Sequence, residues 1–163
     1  MRSAGEAMSD TIRAYRPEDR AAIVGMLASS EPWKKLGYTD ADWQKLFAPL
    51  PAGREGFVIE SDGAATGFAL LRPKFLMGDY LELLIIAPSA RSKGLGSALL
   101  KHIESMVFAR TKNLFACVSD FNAEARKFYT QNGYQEIGPM PNFLIPGSAE
   151  MLLRKTVGPT KST

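Results

Sequence analysis

The residues able to do chemistry gather in two places. The first is Arg91-Ser92-Lys93-Gly94-Leu95-Gly96, with Ser97 beside it. Glycine has no Cβ, so the backbone at 94 and 96 can turn sharply and bring its N–H groups close to a ligand. A helix opening there leaves its first N–H groups unpaired, and its dipole favours negative charge. Such amides make a cradle for a diphosphate, and Arg91 and Lys93 add positive charge next to it. A Gly-x-Gly pair also fits a plain strand-to-helix joint, and on the glycines alone the two readings stand level. The second place runs from Asn122 to Tyr129. A phenol of ordinary pKa near ~10 is protonated at neutral pH and can hand a proton to a thiolate whose pKa is about 8.5. Tyr129 follows Asn122 by seven residues, nearly two helical turns, so both face one side of a helix. The competing reading is a core tyrosine on an amphipathic helix.

Several elements must position these groups. Leu81, Leu83, Leu84, Ile85 and Ile86 form an almost unbroken apolar run, as in a strand covered on both faces, and Ala87-Pro88 ends it. Beyond the glycines, Leu95, Leu99, His102, Ile103, Met106 and Val107 fall on one face of a helix, so His102 is expected to be packed rather than reactive. Asn113–Ser119 reads as a strand and Asn122 as a helix N-cap, with Ala125, Phe128 and Tyr129 facing inward and Gly133 past the helix end. Upstream, Thr11–Tyr15 reads as a strand, Pro17 and the acids after it as a helix start, and Thr39–Phe47 as a short helix capped by Thr39 with Asp42. Gly56–Glu60 and Thr66–Leu71 form a hairpin through Ser61-Asp62-Gly63, and Lys74–Gly78 is a loop. Tyr134–Ile137 and Ala149–Lys155 are the last strands, with a proline-rich loop, Gly138–Gly147, between them.

Composition narrows the function classes. The 163 residues are 45% hydrophobic and 23% charged, which fits a single globular domain spanning 1–163 with its core at about 11–156 and frayed ends. A net charge of +3, spread rather than blocked, gives no nucleic-acid signature. One cysteine, Cys117, and one histidine argue against an internal disulfide and a metal site. No stretch suits a membrane span or a signal peptide, so a cytoplasmic protein is expected. Met8 could serve as an alternative start.

Arg91–Gly96 resembles the Arg/Gln-x-x-Gly-x-Gly/Ala motif of the GCN5-related N-acetyltransferase (GNAT) superfamily. Asn122-Ala-Glu-Ala-Arg-Lys-Phe-Tyr129, with Gly133-Tyr134 after it, resembles that superfamily's Asn-x-x-Ala-x-x-x-Tyr helix. Both lie in the right order and at the right separation. A missing lysine and Ser/Thr after the second glycine sets aside a P-loop, and a missing third glycine sets aside a dinucleotide fingerprint. The resemblance implies an α+β fold, α/β-like in its three layers: a twisted mixed sheet of about seven strands with helices on both faces, splayed beside the central strand. It implies acetyl-CoA as co-substrate, without a metal, and an amine acceptor on a small molecule or peptide. Leu84, Ile85 and Ile86 would contact pantetheine and thioester, and Arg91, Ser92, Lys93, Gly94, Leu95, Gly96 and Ser97 would hold the pyrophosphate. Asn122 would line the pantetheine arm, Arg126 would join the cofactor residues, and Tyr129 would be the general acid. Many relatives dimerise, which leaves a homodimer open.

The general base is less legible. Some relatives carry a glutamate five residues before the asparagine; here Cys117 stands there, expected to be a small core residue. Glu82 is the alternative, because a carboxylate inside an apolar run needs a pocket or a partner; water could also relay the proton. Trp33, Tyr38, Trp43 and Phe47 are either a substrate wall or ordinary packing, with Glu31, Asp40 and Asp42 able to attract an ammonium. A non-catalytic acyl-CoA-binding module is the rival function, and a longer acyl donor stays open.

Overall fold

A computed structural model describes residues 9–161; the expectations for the first residues, including a start at Met8, lie outside them. Seven strands form one sheet: β1 (Asp10–Ala14), β2 (Glu55–Ser61), β3 (Ala64–Phe75), β4 (Gly78–Ile86), β5 (Asn113–Ser119), β6 (Gln135–Pro141) and β7 (Ala149–Thr156). Their order is β1-β2-β3-β4-β5-β7-β6. Every pairing is antiparallel except β4 with β5. Helices α1 (Arg20–Ala28) and α2 (Asp40–Leu46) cover one face, where Ile23, Leu27, Trp43 and Phe47 pack on Val58, Phe68, Leu83 and Ile85. Helices α3 (Leu95–Arg110) and α4 (Ala123–Gln131) cover the other, where Leu99, Leu100, Ile103 and Tyr129 pack on Ile59, Ala69, Leu71 and Leu114. This is the mixed, two-sided sheet expected from the sequence.

Two features of β4 create the site. Its register with β3 runs from Leu83 opposite Leu70 to Leu81 opposite Leu71, so Glu82 is an extra, bulged residue. The bulge flips the side-chain phase. Leu83 and Ile85 join the core under α1 and α2, whereas Leu81 joins the core under α3. Second, β4 pairs with β5 only from Asp79 to Leu81, opposite Leu114 to Ala116. Beyond that the two strands part, and the backbone from Glu82 to Ile86 faces a gap instead of a ladder.

Several boundaries differ from expectation. Strand β3 runs to Phe75, and the expected Lys74–Gly78 loop contracts to Leu76-Met77, with φ of 43° and 57°. That is a two-residue hairpin built without the glycine or asparagine that usually signals one. Strand β6 extends through Pro139 and Pro141 into the expected loop; it is an edge strand, where a missing N–H removes no interior ladder bond. His102 is exposed, edge-on to Phe57 at 5.9 Å, and does not belong to the buried stripe. Glu104 takes the buried place, held by Lys155 at 2.7 Å. The Thr39 capping box forms as expected, with Thr39 N–H donating to Asp42 at 2.8 Å.

The entry to α1 is fixed by a buried carboxylate. Asp19 accepts from Arg13 at 2.7 and 2.8 Å and from the Arg16 N–H at 2.8 Å. The Arg13 hydrogen bonds hold the Asp19 carboxyl below its ordinary value. A depressed folded-state pKa stabilises the fold above the unfolded value of about 3.9, and that stability is lost as pH falls through the lower folded value. Asp19→Asn is therefore expected to cost about 2 kcal/mol at pH 7, a fall in Tm of roughly 4–8 °C. Thermal melts of the two proteins should begin to converge below about pH 4 and coincide only once the pH is below the lower folded value. A gap that stays constant with pH would mean that the charge is not what matters.

Candidate functional site

The gap between β4 and β5 lies in the middle of the sheet and opens on both of its faces, and two cavities meet in it. The first, about 530 Å³, runs over Ile85, Ile86, Ala90 and the 91–97 loop to α4. The second, about 370 Å³, lies between α2, β4, β5 and the loop before β7. Pro32, Trp33, Leu84, Asn122, Ala125 and Tyr129 line both. A group reaching through the junction therefore passes Tyr129 and Asn122 and is open to either side.

The first cavity ends on the start of α3. Gly94 is its N-cap with φ +77° and ψ 8°, the left-handed conformation that glycine adopts without penalty. Ser92 before it also has positive φ, 63°. No side chain caps the helix and no acid lies in its first turn, so the opening amides and the positive end of the dipole are directed at the cavity. Arg91, Ser92, Gly94, Leu95, Gly96 and Ser97 line it. Arg91 also ties the loop down, donating to the Ile86 carbonyl at 3.2 Å and to the Ser30 hydroxyl at 3.3 Å.

Two of the expected cofactor residues are placed elsewhere. Lys93 is exposed and does not line the cavity. Arg126 points away from it: its guanidinium grips Glu136 at 2.8 and 3.0 Å and the Asp120 carbonyl at 3.2 Å, because its helical position faces β6. Lys127, one residue on, lines the cavity instead. The sequence offered both cations at adjacent positions, and only the packed orientation of α4 separates them. That orientation is set in part by Asn122, whose side chain caps the helix by accepting from the Ala125 N–H at 3.1 Å.

Tyr129 is 7% exposed, and burial pushes its phenol well above the ordinary value. It packs edge-on against Phe128 and Tyr134, each with ring centroids 5.2 Å away. It is thus both a core residue and a wall of both cavities; the two sequence readings are not exclusive.

The second cavity has apolar walls and a small polar floor. Tyr38 stacks on Trp43 at 4.8 Å, and Trp33 meets Trp43 edge-on at 6.1 Å. Phe143 and Leu144 close the far rim. Glu82 lies on the floor, its two oxygens each 3.0 Å from Arg54 Nε, so its charge is already met. Glu150 of β7 also lines it, 6% exposed and receiving the Ser119 hydroxyl. Burial pushes the Glu150 carboxyl up from its ordinary value. Cys117 is half-buried in the wall rather than a core filler, and burial raises its thiol too.

The acids expected to attract an ammonium are not in this cavity. Asp42 is spent on the helix cap, and Asp40 is an exposed first-turn residue. Glu31 lines the first cavity and accepts the Lys35 N–H at 3.0 Å. Glu150 was missed because nothing in Ser148-Ala149-Glu150 marks it. It matters only through its register opposite Ser119, a long-range pairing. Among the described residues no cluster of His, Cys, Asp and Glu could hold a metal ion, and no helix is long and apolar enough to cross a membrane.

Comparisons with known proteins agree with this geometry. Residues 11–134 match the acetyltransferase (GNAT) family. An uncharacterized N-acetyltransferase of Methanocaldococcus jannaschii is 30% identical over 101 residues, 61% of this chain and 64% of that protein. One from Bacillus subtilis is 29% identical over 136 residues, 77% of this chain and 89% of the relative. Among solved structures, a GNAT-family protein of Desulfovibrio desulfuricans superposes with a TM-score of 0.77 at 22% identity, covering 92% of this chain and all (100%) of that one. An aminoglycoside 6'-N-acetyltransferase complexed with coenzyme A gives 0.77 at 17%, covering 93% and 99%. At these identities the superpositions speak to the fold.

Proposed function

Because the chain belongs to the GNAT acetyltransferase family, we propose that it moves the acetyl group of acetyl-CoA to a primary amine by direct attack within a ternary complex. The observation that carries this is the meeting of the two cavities at Tyr129 in the gap between β4 and β5. In this reading the first cavity takes acetyl-CoA. Its diphosphate rests on the opening amides of α3, with Arg91 and Lys127 supplying positive charge. The pantetheine arm follows the unpaired edge of β4 past Leu84 and Asn122, where backbone groups released from the sheet can bond it. The thioester then stands at the junction, and the amine enters from the second cavity.

Four tasks follow from the reaction. The ammonium must lose a proton, the thioester must be held, the oxyanion must be stabilised and the leaving thiolate must be protonated. The β4 backbone beyond Leu81 is suited to the second and third. Tyr129 is placed for the fourth: its buried phenol carries its proton throughout the physiological range, although burial also makes it a weaker acid than an ordinary phenol. Glu82 touches the acceptor cavity with its charge already matched, which suits it to shaping that cavity.

The test has two arms. Calorimetric titration with acetyl-CoA should show saturable one-to-one binding. A thiol-release assay against a panel of primary amines should show turnover with some members. Binding without thiol release for any amine would leave a non-catalytic acyl-CoA-binding protein; no binding would remove the reading altogether.

A further inference from the structure

The second cavity holds an imbalance that the proposed reaction does not by itself explain. Of its two carboxylates, Glu82 is matched by Arg54, and Glu150 is not matched by a cation among the described residues. Glu150 is 6% exposed, yet its one hydrogen-bonding side chain is the neutral hydroxyl of Ser119 across the β5–β7 pair. The groups that act on it are Tyr80 from β4, Cys117 and Ser119 from β5 and Asp120 just beyond, and Glu82 and Tyr129 share its cavity. None is basic. A buried carboxylate in such surroundings costs several kcal/mol unless a positive group reaches it.

We propose that Glu150, positioned by Ser119, receives the acceptor's ammonium group and takes its proton, and that the acceptor is a primary monoamine on an apolar, aromatic-sized body. This deepens the acetyltransferase reading and rests on it. The number of charges follows from the floor, where one carboxylate is uncompensated. The body follows from the walls. Trp33, Tyr38, Trp43, Leu36, Phe143 and Leu144 enclose a volume within the range of small-ligand sites. Phe143 and Leu144 are 57% and 44% exposed at its mouth, apolar side chains with no protein over them. Their loop is closed on itself and tied to the residue after β5. Asn142 Oδ1 accepts the Gly147 N–H at 2.8 Å, and the Ser148 hydroxyl donates to Asp120 at 2.8 Å.

The proton balance closes. The ammonium gives one proton to the Glu150 carboxylate, which later releases it to solvent. The freed nitrogen attacks the thioester carbonyl, and a C–N bond forms. The tetrahedral oxyanion collapses, the C–S bond breaks, and the thiolate takes the Tyr129 proton. The surplus proton on the new amide nitrogen restores the phenol. Burial of Glu150 works in the same direction, because a carboxylate raised from its ordinary value is a better proton acceptor.

Phenethylamine is the probe, against spermidine as a polycation and phenethyl alcohol as an uncharged shape match. In thiol release, kcat/KM for phenethylamine should exceed that for spermidine by at least about tenfold. Glu150→Gln should lower kcat/KM for phenethylamine by about 10²-fold or more, with acetyl-CoA affinity unchanged within about threefold. The only two tryptophans, Trp33 and Trp43, both line the cavity, so intrinsic fluorescence reads its occupancy without turnover. Phenethylamine should bind the wild-type protein at least about tenfold more tightly than phenethyl alcohol, the scale of one charged hydrogen bond. That measurement stands even if Glu150→Gln does not fold. Equal binding of amine and alcohol, a preference for spermidine, or a Glu150→Gln loss below threefold would overturn the proposal. Failure of the acetyltransferase reading is seen separately, as absent calorimetric binding of acetyl-CoA or as binding without thiol release for any amine of the panel.

Discussion

Tyr129→Phe is expected to lower kcat by about two to four orders of magnitude while acetyl-CoA affinity changes by less than about threefold. The substitution deletes one oxygen and leaves the ring in contact with Phe128 and Tyr134, so the core around α4 keeps its packing. Stability should change by no more than about 1 kcal/mol. Rapid-quench turnover and calorimetry read the two effects apart. A parallel loss in both would make Tyr129 a binding residue. The pH behaviour sharpens the test. Burial raises the phenol above its ordinary value of about 10, so it stays protonated through neutral and mildly alkaline pH. Wild type and Tyr129→Phe should then give kcat/KM profiles of the same shape up to about pH 9.5, offset by a constant factor. An alkaline limb that vanishes in the variant would assign to Tyr129 a far lower pKa than its burial allows.

Much of this site was legible because its signals are local. The glycine at 94 marks a left-handed turn that only a few residue types adopt, and the helix after it announces itself by periodicity. Asn122 is a cap residue in a cap position. The parts that were not legible depend on pairings distant in sequence. Glu150 has meaning only opposite Ser119, and Arg126 is turned from the cavity by the orientation of α4, which brings it to Glu136 of β6. The apolar run from Leu81 to Ile86 concealed a bulge, since leucine and isoleucine suit either face equally well. The phase shift at Glu82 shows only in the register with β3. His102 illustrates the same limit. Its helical phase puts it at the border of the buried stripe, and in the fold it lies on the exposed side, edge-on to Phe57.

Gly67 gives the other large expected effect, and nothing in its neighbourhood of the sequence distinguishes it from any strand glycine. A Cβ at this position would stand 2.5 Å from Ile86 Cδ1, 2.8 Å from Ile59 Cγ2 and 2.9 Å from the Ile85 carbonyl oxygen. The two methyl groups can swing aside, but the carbonyl belongs to the backbone of β4, so β3 and β4 must move apart for an alanine to fit. Gly67→Ala should cost about 1–3 kcal/mol by overpacking, a loss of roughly 2–12 °C in Tm. It should also weaken acetyl-CoA binding, because Gly67 pairs with Ile86, which lines the first cavity. Gly94→Ala is the matched comparison. There a Cβ meets nothing within 4 Å, and the cost is only the left-handed φ, on the order of 1 kcal/mol. Scanning calorimetry should therefore rank Gly67→Ala as the more destabilising of the two. The reverse ranking would mean that the β3–β4 pair yields more readily than its packing implies, and that the edge lining the gap is not a rigid rail.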